Sequence, residues 1–348
     1  MNTATAFTSL PVIDISALYG NDPAAQRRVA DELGHAARHV GFLYVTGHTV
    51  PEAVFDEMLA ATRAFFALPL EEKMKVYIGF STNHRGYVPE GEEVFAGGTR
   101  DKKEAYDLSI DLSAQDPDYL AGNRLLGPNQ WPGTPGFREP VSAYYNATFE
   151  LGRTLFRGFA MALDEAPDYF DKYITRPPSQ LRLVHYPYDG EASDSVGIGA
   201  HTDYECFTLL RATTPGLEVM NSKGEWIDAP PVPGAYVINI GDMLELWTNG
   251  EFLATSHRVR KVKEERYSFP LFFNVDYYTK VMPLAKLQKP GEPERTPLIA
   301  GEHLFAQTGQ SFTYLKKLIA SGELRLPETA VALSSFGAEA RLNEKAKA

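Results

Sequence analysis

Three side chains in the second half of the chain have the types and spacing of a metal site. His201 and Asp203 are two residues apart in a β-type run, and because strand side chains alternate, both are predicted on one face. His257 follows in a later run and supplies a second imidazole. Two histidines and one carboxylate form the facial triad that leaves positions on Fe(II) open for other ligands. A zinc hydrolase can use the same three ligands, so neighbouring residues must decide between the two metals.

Arg266 and Ser268 favour iron. They share one face of a predicted strand, where a guanidinium and a hydroxyl can together hold one carboxylate. A hydrolase has no need of such a clamp, whereas an enzyme whose dicarboxylate co-substrate binds the metal with its other end requires it. Tyr186, on an earlier predicted strand, is a candidate for a third hydrogen bond to the same carboxylate.

These residues lie in a β-rich second half. After residue 178, short apolar runs separated by Gly, Pro and Asn indicate an all-β barrel or jelly roll. The predicted strands cover residues 181–186, 207–212, 217–220, 236–240, 256–262 and 268–275. No strand is expected after residue 275. Residues 301–322 are predicted to be helical, and the last dozen residues are polar enough to be disordered.

The first half is predicted to be mainly helical. Apolar residues at helical spacing predict helices from about residue 23, over residues 52–68 and over residues 137–163, the last bracing a sheet. Short strands are expected at residues 10–15 and 41–46. Residues 79–136 are less regular, and long loops of this kind usually carry function.

Together the patterns predict a mixed α+β fold that folds as one cooperative unit, since no linker separates the halves. Its predicted parts are a helical and strand region (1–135), a bracing helix with its connector (136–178), a jelly-roll core (179–285) and a C-terminal helical segment with a polar tail (286–348).

Composition restricts the class of partner. The chain has 348 residues and a formal net charge of −11, which argues against nucleic acid or an anionic membrane as its main partner. Its single cysteine, Cys206, excludes an internal disulfide and is predicted to be a small core residue. The first residues show no basic region followed by a long apolar run, so we expect a cytoplasmic protein. We also expect a monomer or a weak homodimer.

Four motifs stand in order in the second half of the chain. They are Gly-Ala-His201-Thr-Asp203, Val-Ile-Asn239-Ile-Gly-Asp242-Met-Leu, Ser-His257-Arg-Val and Arg266-Tyr-Ser268. Together with the opening stretches at residues 10–15 and 41–48, these motifs resemble the Fe(II)/2-oxoglutarate-dependent oxygenases of the isopenicillin N synthase-like family. The resemblance runs over nearly the whole chain.

The resemblance implies a distorted double-stranded β-helix, which is a jelly roll, with iron on His201, Asp203 and His257. It also implies that Arg266, Ser268 and Tyr186 hold the distal carboxylate of 2-oxoglutarate, that O2 is consumed, and that ascorbate stimulates turnover. Many plant members have Asn-Tyr-Tyr-Pro where this chain has residues 184–187 as Val-His-Tyr-Pro. The asparagine thought to help orient the metal-proximal end of 2-oxoglutarate is therefore absent.

The substrate side is less defined by the sequence. The 83–93 loop resembles the corresponding loop of bacterial ethylene-forming enzymes, in which acidic and backbone groups receive a basic amino acid. The candidate substrate residues are Arg85, Glu92, Glu93, Tyr106, Tyr204 and Phe272. Phe207 and Leu209 are expected to complete an apolar wall with Phe272 and Tyr204. A solvated acidic turn is the simpler interpretation of the glutamates.

Two other functions fit part of the pattern. An isopenicillin N synthase-like oxidase would use the same iron triad without 2-oxoglutarate and would place the Arg266–Ser268 pair on its substrate. A non-catalytic metal-binding β-helix protein would have no use for open iron positions beside an anion clamp. The sequence does not distinguish hydroxylation from desaturation, ring closure or ethylene formation.

Overall fold

The computed structural model describes residues 6–93, 103–190, 196–260, 263–291 and 296–327. The helices are α1 (Pro23–His39), α2 (Glu52–Phe66), α3 (Leu70–Met74), α4 (Pro117–Leu120), α5 (Arg138–Ala162), α6 (Asp242–Trp247), α7 (Ala300–Gly309) and α8 (Thr313–Ser321). The strands are β1 (Val12–Asp14), β2 (Phe42–Thr46), β3 (Gly86–Val88), β4 (Glu104–Leu108), β5 (Gln180–Tyr186), β6 (Val196–His201), β7 (Phe207–Ala212), β8 (Leu217–Met220), β9 (Trp226–Asp228), β10 (Tyr236–Ile240), β11 (His257–Arg260), β12 (Arg266–Phe273), β13 (Lys280–Val281) and β14 (Leu298–Ile299).

Two sheets form the β core. The larger has eight strands in the order β1-β2-β10-β7-β12-β5-β4-β3, and the smaller has the order β6-β11-β8-β9. One cavity is lined by residues from both sheets, so the sheets enclose it. This arrangement, with helices packed on the outside, agrees with the predicted mixed α+β fold and jelly-roll core.

The outer face of the large sheet packs on α5, the predicted bracing helix. Phe156 and Phe159 of α5 both contact the ring of Phe207, with ring centroids 5.3 and 5.4 Å apart. The approach is close, since a Cβ at Gly152 would lie 2.3 Å from the ring of Phe273. Each buried Phe of this layer contributes about 1.5–3 kcal/mol of hydrophobic stabilisation.

Strand alternation on β7 corrects one prediction. Phe207 and Leu209 are fully buried in the core that β7 shares with α5, whereas Thr208 and Leu210 face the cavity between the sheets. The predicted apolar wall was therefore wrong by one residue along this strand, because the offset moves every side chain to the opposite face. Cys206 is buried in the same helix-facing core, as predicted.

The sequence pattern missed several strands. Residues 79–136, predicted to be irregular, contain β3 and β4, which extend the large sheet through β5. The pair β13 and β14 lies after residue 275, where no strand was expected. The strand β6 is rich in glycine, which is depleted in strands, so its propensity hides it.

The helix predictions agree closely with the structure. Asp22 caps α1 by accepting a hydrogen bond from the backbone N–H of Ala24, with Pro23 at the first helical position. The strand predicted at 256–262 is β11 (His257–Arg260), and residues 261–262 lie outside the described residues, as does the polar tail. Among the described residues, the structure contains no helix with the length and hydrophobicity needed to span a membrane.

Candidate active site

The two histidines of the triad are cross-strand neighbours. His201 ends β6, His257 begins β11, and the antiparallel register places them directly opposite each other, with ring centroids 4.3 Å apart. The Nδ1 of His201 lies 2.8 Å from the carbonyl oxygen of Gly199, and that of His257 lies 3.3 Å from the carbonyl oxygen of Thr255. Because a carbonyl only accepts, each Nδ1 carries the proton, and each Nε2 lone pair is left for a metal.

Asp203 meets both imidazoles through one of its oxygens. Its Oδ1 lies 3.8 Å from His201 Nε2 and 3.6 Å from His257 Nε2, and the ligand atoms of the three residues lie within 4.8 Å of one another. The physical reason given for this proximity was wrong, however. β6 ends at His201, so Asp203 lies in the turn that follows and does not share a strand face with His201.

The second oxygen of Asp203 is held by two buried donors. Asn239 Nδ2 donates to Oδ2 at 2.7 Å, and the Thr208 hydroxyl donates to the same atom. Burial raises the pKa of Asp203, but His257, His201 and these hydrogen bonds outweigh it, so the net pKa lies below its usual value. Asp203 is therefore an oriented carboxylate with Oδ1 turned towards the histidines.

Electrostatics keep His201 suited to metal binding. Burial, followed by the neighbouring His257, lowers the pKa of His201 to about 4. A neutral imidazole is the form that coordinates a metal, so His201 is ready to bind at neutral pH without first losing a proton.

A guanidinium lies in the same cavity. Arg266 is 1% exposed, its Nε donates to the carbonyl oxygen of Thr214 at 3.2 Å, and its guanidinium lies 5.0 Å from the ring centroid of Tyr186, its cross-strand partner. Its Nη1 is buried and has no hydrogen-bond partner among the described residues. Burial lowers the pKa of Arg266 from its usual value. An unpaired buried donor is what an arriving carboxylate would satisfy.

The triad and this guanidinium line one cavity of about 150 Å³. Ser268, Tyr186, Tyr204 and Phe272 line it too. The donor set, two imidazoles and a carboxylate, suits Fe(II), and the unpaired Nη1 of Arg266 suits the far end of a dicarboxylate, so the residues present fit both groups.

Sequence comparison decides the family. A family model described as the N-terminal region of the non-haem dioxygenase in morphine synthesis matches residues 10–134, and that of the 2OG-Fe(II) oxygenase superfamily matches residues 177–275. A 2-oxoglutarate-Fe(II) type oxidoreductase of Emericella nidulans is 34% identical over 343 residues, covering 93% of this chain and 98% of the relative. The chain belongs to the 2OG-Fe(II) oxygenase superfamily.

Two further similar proteins, one found by sequence and one by structure, are consistent with this family. A homoarginine-6-hydroxylase of Glycine max is 36% identical over 332 residues, with 90% of this chain and 100% of the relative covered. A Neurospora crassa protein solved with alpha-KG and thymine has 25% identity and a TM-score of 0.73, with 90% of this chain and 97% of that chain covered. This oxygenase uses Fe(II) and 2-oxoglutarate and oxidises a small molecule with release of succinate and CO2, as predicted.

The candidate substrate residues of the oxygenase divide into two groups. Tyr204, Phe272 and Glu93 line the cavity. Tyr106 is fully buried in the helix-facing core, with its hydroxyl on the carbonyl oxygen of Gln130.

Arg85 and Glu92, like Tyr106, do not line the cavity. Arg85 donates to the carbonyl oxygens of Asn83, His84 and Leu125, and Glu92 accepts at 2.7 Å from the backbone N–H of Tyr314 in the first turn of α8. In the structure, Arg85 therefore braces the loop and Glu92 joins the loop to that helix.

Glu93 faces the cavity within a buried ion cluster. Arg182 Nη1 donates to both oxygens of Glu93 at 2.9 and 3.1 Å, and Lys103 Nζ lies 3.1 Å from Glu93. The Nε and Nη2 of Arg182 make a bidentate pair with Asp107. Burial raises the pKa of Glu93, but Arg182 and Lys103 outweigh it and bring it to about 2. Glu93 is thus a permanent carboxylate that already has two cations.

Sequence reasoning missed a second set of cavity residues. They lie just before β4, on β5, in the turn after β6, on α7 and in the connection between α7 and α8, and they are Lys103, Arg182, Glu205, Leu304, Thr308, Ser311 and Phe312. Burial, followed by the carboxylate of Asp203, raises the pKa of Glu205 to about 8. The helices α7 and α8 were predicted, but helical periodicity carries no information about which distant cavity a helix covers.

Histidines outside the triad have other partners. His185 lies between Glu104 and Glu265, at 2.8 and 3.0 Å, and not on the triad. His48 contacts the carbonyl oxygen of Gly234 at 2.9 Å. His84 is different, because it lines the cavity.

Proposed function

We propose that His201, Asp203 and His257 hold the single Fe(II) and that Arg266, Ser268 and Tyr186 hold the distal carboxylate of 2-oxoglutarate. The observation that carries this proposal is the buried, unpaired Nη1 of Arg266 in the same cavity as three converging metal-ligand atoms. A buried cationic donor without a partner is costly, so its retention is best explained by an anion that binds there.

When bound, iron and 2-oxoglutarate supply an oxidative decarboxylation in which one atom of O2 enters succinate and the other is available to oxidise a substrate C–H bond. The chain's residues prepare this chemistry. The carbonyl oxygens of Gly199 and Thr255 keep the proton on Nδ1 of each histidine, and Asn239 with Thr208 keeps Oδ2 of Asp203 occupied. The three donor atoms are thus aimed before the metal arrives.

Apolar residues on both sheets limit the water that reaches these donors. The small sheet contributes one apolar side and the large sheet the other, through Ile198, Leu217 and Val259 on the first and Val184, Leu210 and Phe272 on the second. A dry site strengthens the interaction between Arg266 and a carboxylate and restricts side reactions of the oxidant with water.

His257→Ala tests the metal assignment. Because the variant leaves only two ligands, we expect iron content and substrate-independent succinate formation to fall to background, while the fold persists. His35→Ala is the matched control, since His35 is exposed on α1. Iron measured by metal analysis at full occupancy in His257→Ala, with turnover retained, would show that another residue holds the metal.

For the substrate, we propose a small basic α-amino acid. The Glycine max relative is named for homoarginine, and the cavity presents both charges, with Glu93 beside Arg182 and Lys103, which a zwitterion can use. L-homoarginine or L-arginine should stimulate succinate formation from 2-oxoglutarate and O2. Stimulation by thymine and by neither amino acid would favour a nucleobase substrate and reject this class.

A further inference from the structure

One cavity wall holds a hydrogen-bonding atom that neither iron nor 2-oxoglutarate uses in the proposed function. His84 is 2% exposed, its Nδ1 lies 2.6 Å from the hydroxyl of Tyr314, and it lines the cavity. Its Nε2 is buried and has no partner within the described part of the chain. We define the His84 subsite as His84, Glu93, Lys103, Arg182 and Phe312.

The loop that carries His84 is built to hold it. The backbone of His84 has φ 62°, a left-handed conformation that is uncommon for a residue with a side chain. The hydroxyl of Ser81 accepts from the backbone N–H groups of Asn83 and Arg85, and Arg85 Nη1 donates to the carbonyl oxygen of His84 at 2.9 Å. A strained residue that its surroundings hold in place is a feature of ligand-binding positions.

Two aromatic residues at the start of α8, Phe312 and Tyr314, pack against the imidazole of His84. Phe312 packs edge-on against the imidazole with centroids 4.5 Å apart, and Tyr314 stacks over it at 6.0 Å. The guanidinium of Arg182 lies 5.4 Å from the same Phe312 ring. The imidazole and the guanidinium therefore meet at one aromatic side chain of the cavity wall.

The hydrogen-bond pattern assigns the proton on His84. Burial, followed by the cations Arg182 and Arg85, lowers the pKa of His84 well below its usual value, so the ring is neutral. Among the described residues, His84 Nδ1 is the acceptor available to the Tyr314 hydroxyl, which donates to it. The proton of the neutral ring is then on Nε2, which becomes a donor towards the cavity.

We propose that His84 Nε2–H donates a hydrogen bond to the carboxylate of the substrate and so selects substrates that carry an acid group. The inference rests on the proposed function, because the substrate must enter the cavity of the triad. Arg182 and Lys103 are already balanced by Glu93 and Asp107, so the donor that this subsite leaves for an incoming carboxylate oxygen is His84 Nε2–H. The proposal makes His84 a specificity residue with no part in holding iron or 2-oxoglutarate.

The test compares an acid with its decarboxylated counterpart. L-arginine and agmatine are titrated by calorimetry into the Fe(II)- and 2-oxoglutarate-loaded enzyme without oxygen. We expect the parent to bind L-arginine at least tenfold more tightly than agmatine. His84→Asn should raise the Kd for L-arginine about 10- to 100-fold and remove the preference, since a hydrogen bond to a charged group is lost. Asparagine tolerates the left-handed backbone at position 84, but its side chain is too short to reach the substrate carboxylate.

Two further variants serve as a surface control and as a test of the tautomer assigned to His84. His35→Asn, an exposed position on α1, should leave both affinities unchanged. Tyr314→Phe removes the hydroxyl donor that keeps the proton of His84 on Nε2, and it should raise the Kd for L-arginine several-fold.

Equal Kd values for L-arginine in His84→Asn and His35→Asn would overturn the proposal, as would a parent that binds neither probe. A loss of 2-oxoglutarate affinity in His84→Asn with unchanged L-arginine affinity would also overturn it, by placing His84 on the co-substrate. Substrate-independent succinate formation by the parent reports separately on the iron and 2-oxoglutarate assignments, so those can stand when the His84 proposal fails.

Discussion

Replacing Arg266 with leucine removes the proposed partner of the distal carboxylate while keeping an apolar side chain of moderate size. Arg266 is 1% exposed, and only its Nε has a backbone acceptor, the carbonyl oxygen of Thr214 at 3.2 Å. Loss of that hydrogen bond costs the fold about 0.5–1.5 kcal/mol, and the contact with Tyr186 is lost as well. The substitution should therefore mainly weaken the binding of 2-oxoglutarate.

The expected loss of 2-oxoglutarate affinity follows from the burial of Arg266 and of the distal carboxylate that it is proposed to hold. Removing one member of a buried, charge-assisted pair costs about 2–5 kcal/mol, because the remaining charge is left unpaired. At about 1.4 kcal/mol per tenfold, the apparent KM for 2-oxoglutarate should rise roughly 30- to several-thousand-fold. Arg266→Lys should recover part of this, since lysine keeps the charge but lacks the planar fork of the guanidinium.

Succinate formation against 2-oxoglutarate concentration measures the effect, and metal analysis of the same samples should give unchanged iron. Arg27→Leu is a suitable control, because Arg27 pairs with Asp31 and Asp164 on the surface, where its side chain is 49% exposed. A bulkier apolar 2-oxo acid without a distal carboxylate should be accepted better by Arg266→Leu than by the parent. An unchanged KM for 2-oxoglutarate would refute the assignment, and a raised KM for the substrate alone would place Arg266 on the substrate.

Two further predictions concern the groups around the triad and the ion cluster. Asn239→Ala should lower the affinity for Fe(II) about 10- to 100-fold in a metal titration, because Oδ2 of Asp203 loses its 2.7 Å donor; equal affinities would show that Thr208 alone orients the carboxylate. The pKa of Glu93 is lowered from 4.5 to about 2, so its contribution to stability is present above pH 4.5 and is lost as the pH falls towards 2. Urea unfolding should therefore show Glu93→Gln less stable than the parent at pH 7, with the difference shrinking below pH 4.5; a difference independent of pH would contradict the ion-pair account.

The triad end of the cavity was largely predictable from sequence because its residues lie in short motifs on or next to strands. Ligand type was enough to select His201, Asp203 and His257 as converging residues, although Asp203 lies after β6 and not on a shared strand face. The Arg-X-Ser spacing was enough to put Arg266 and Ser268 on one strand face, and both line the cavity. Asn239 was recognised only as part of a motif. Its contact with Asp203 depends on the pairing of β10 with β7, which no local pattern reveals.

The substrate end was much less predictable, because its residues come together through tertiary structure. Arg85, Glu92 and Tyr106 have suitable side chains in a suitable loop, yet none lines the cavity, and the predicted wall was displaced by one residue on β7. Phe312 could not be found from its own surroundings, since a phenylalanine before a helix is usually core. Its role depends on the bridge that it forms with Glu93, 219 positions earlier by the difference of the two residue numbers.

The two ends of the cavity are formed by different parts of the fold, paired strands at the triad end and the 83–93 loop with α8 at the other. The triad and Arg266 stand on or beside paired strands, whose hydrogen bonds hold them in place without contributions from the 83–93 loop or α8. The substrate end joins the 83–93 loop to α8 through the Glu93–Phe312 bridge and two hydrogen bonds to Glu92, from the backbone N–H groups of Thr313 and Tyr314. Changes in these two segments can therefore alter which substrate is held while leaving the iron chemistry intact. Relatives that share the catalytic strands but are named for different substrates should differ most where the loop meets α8.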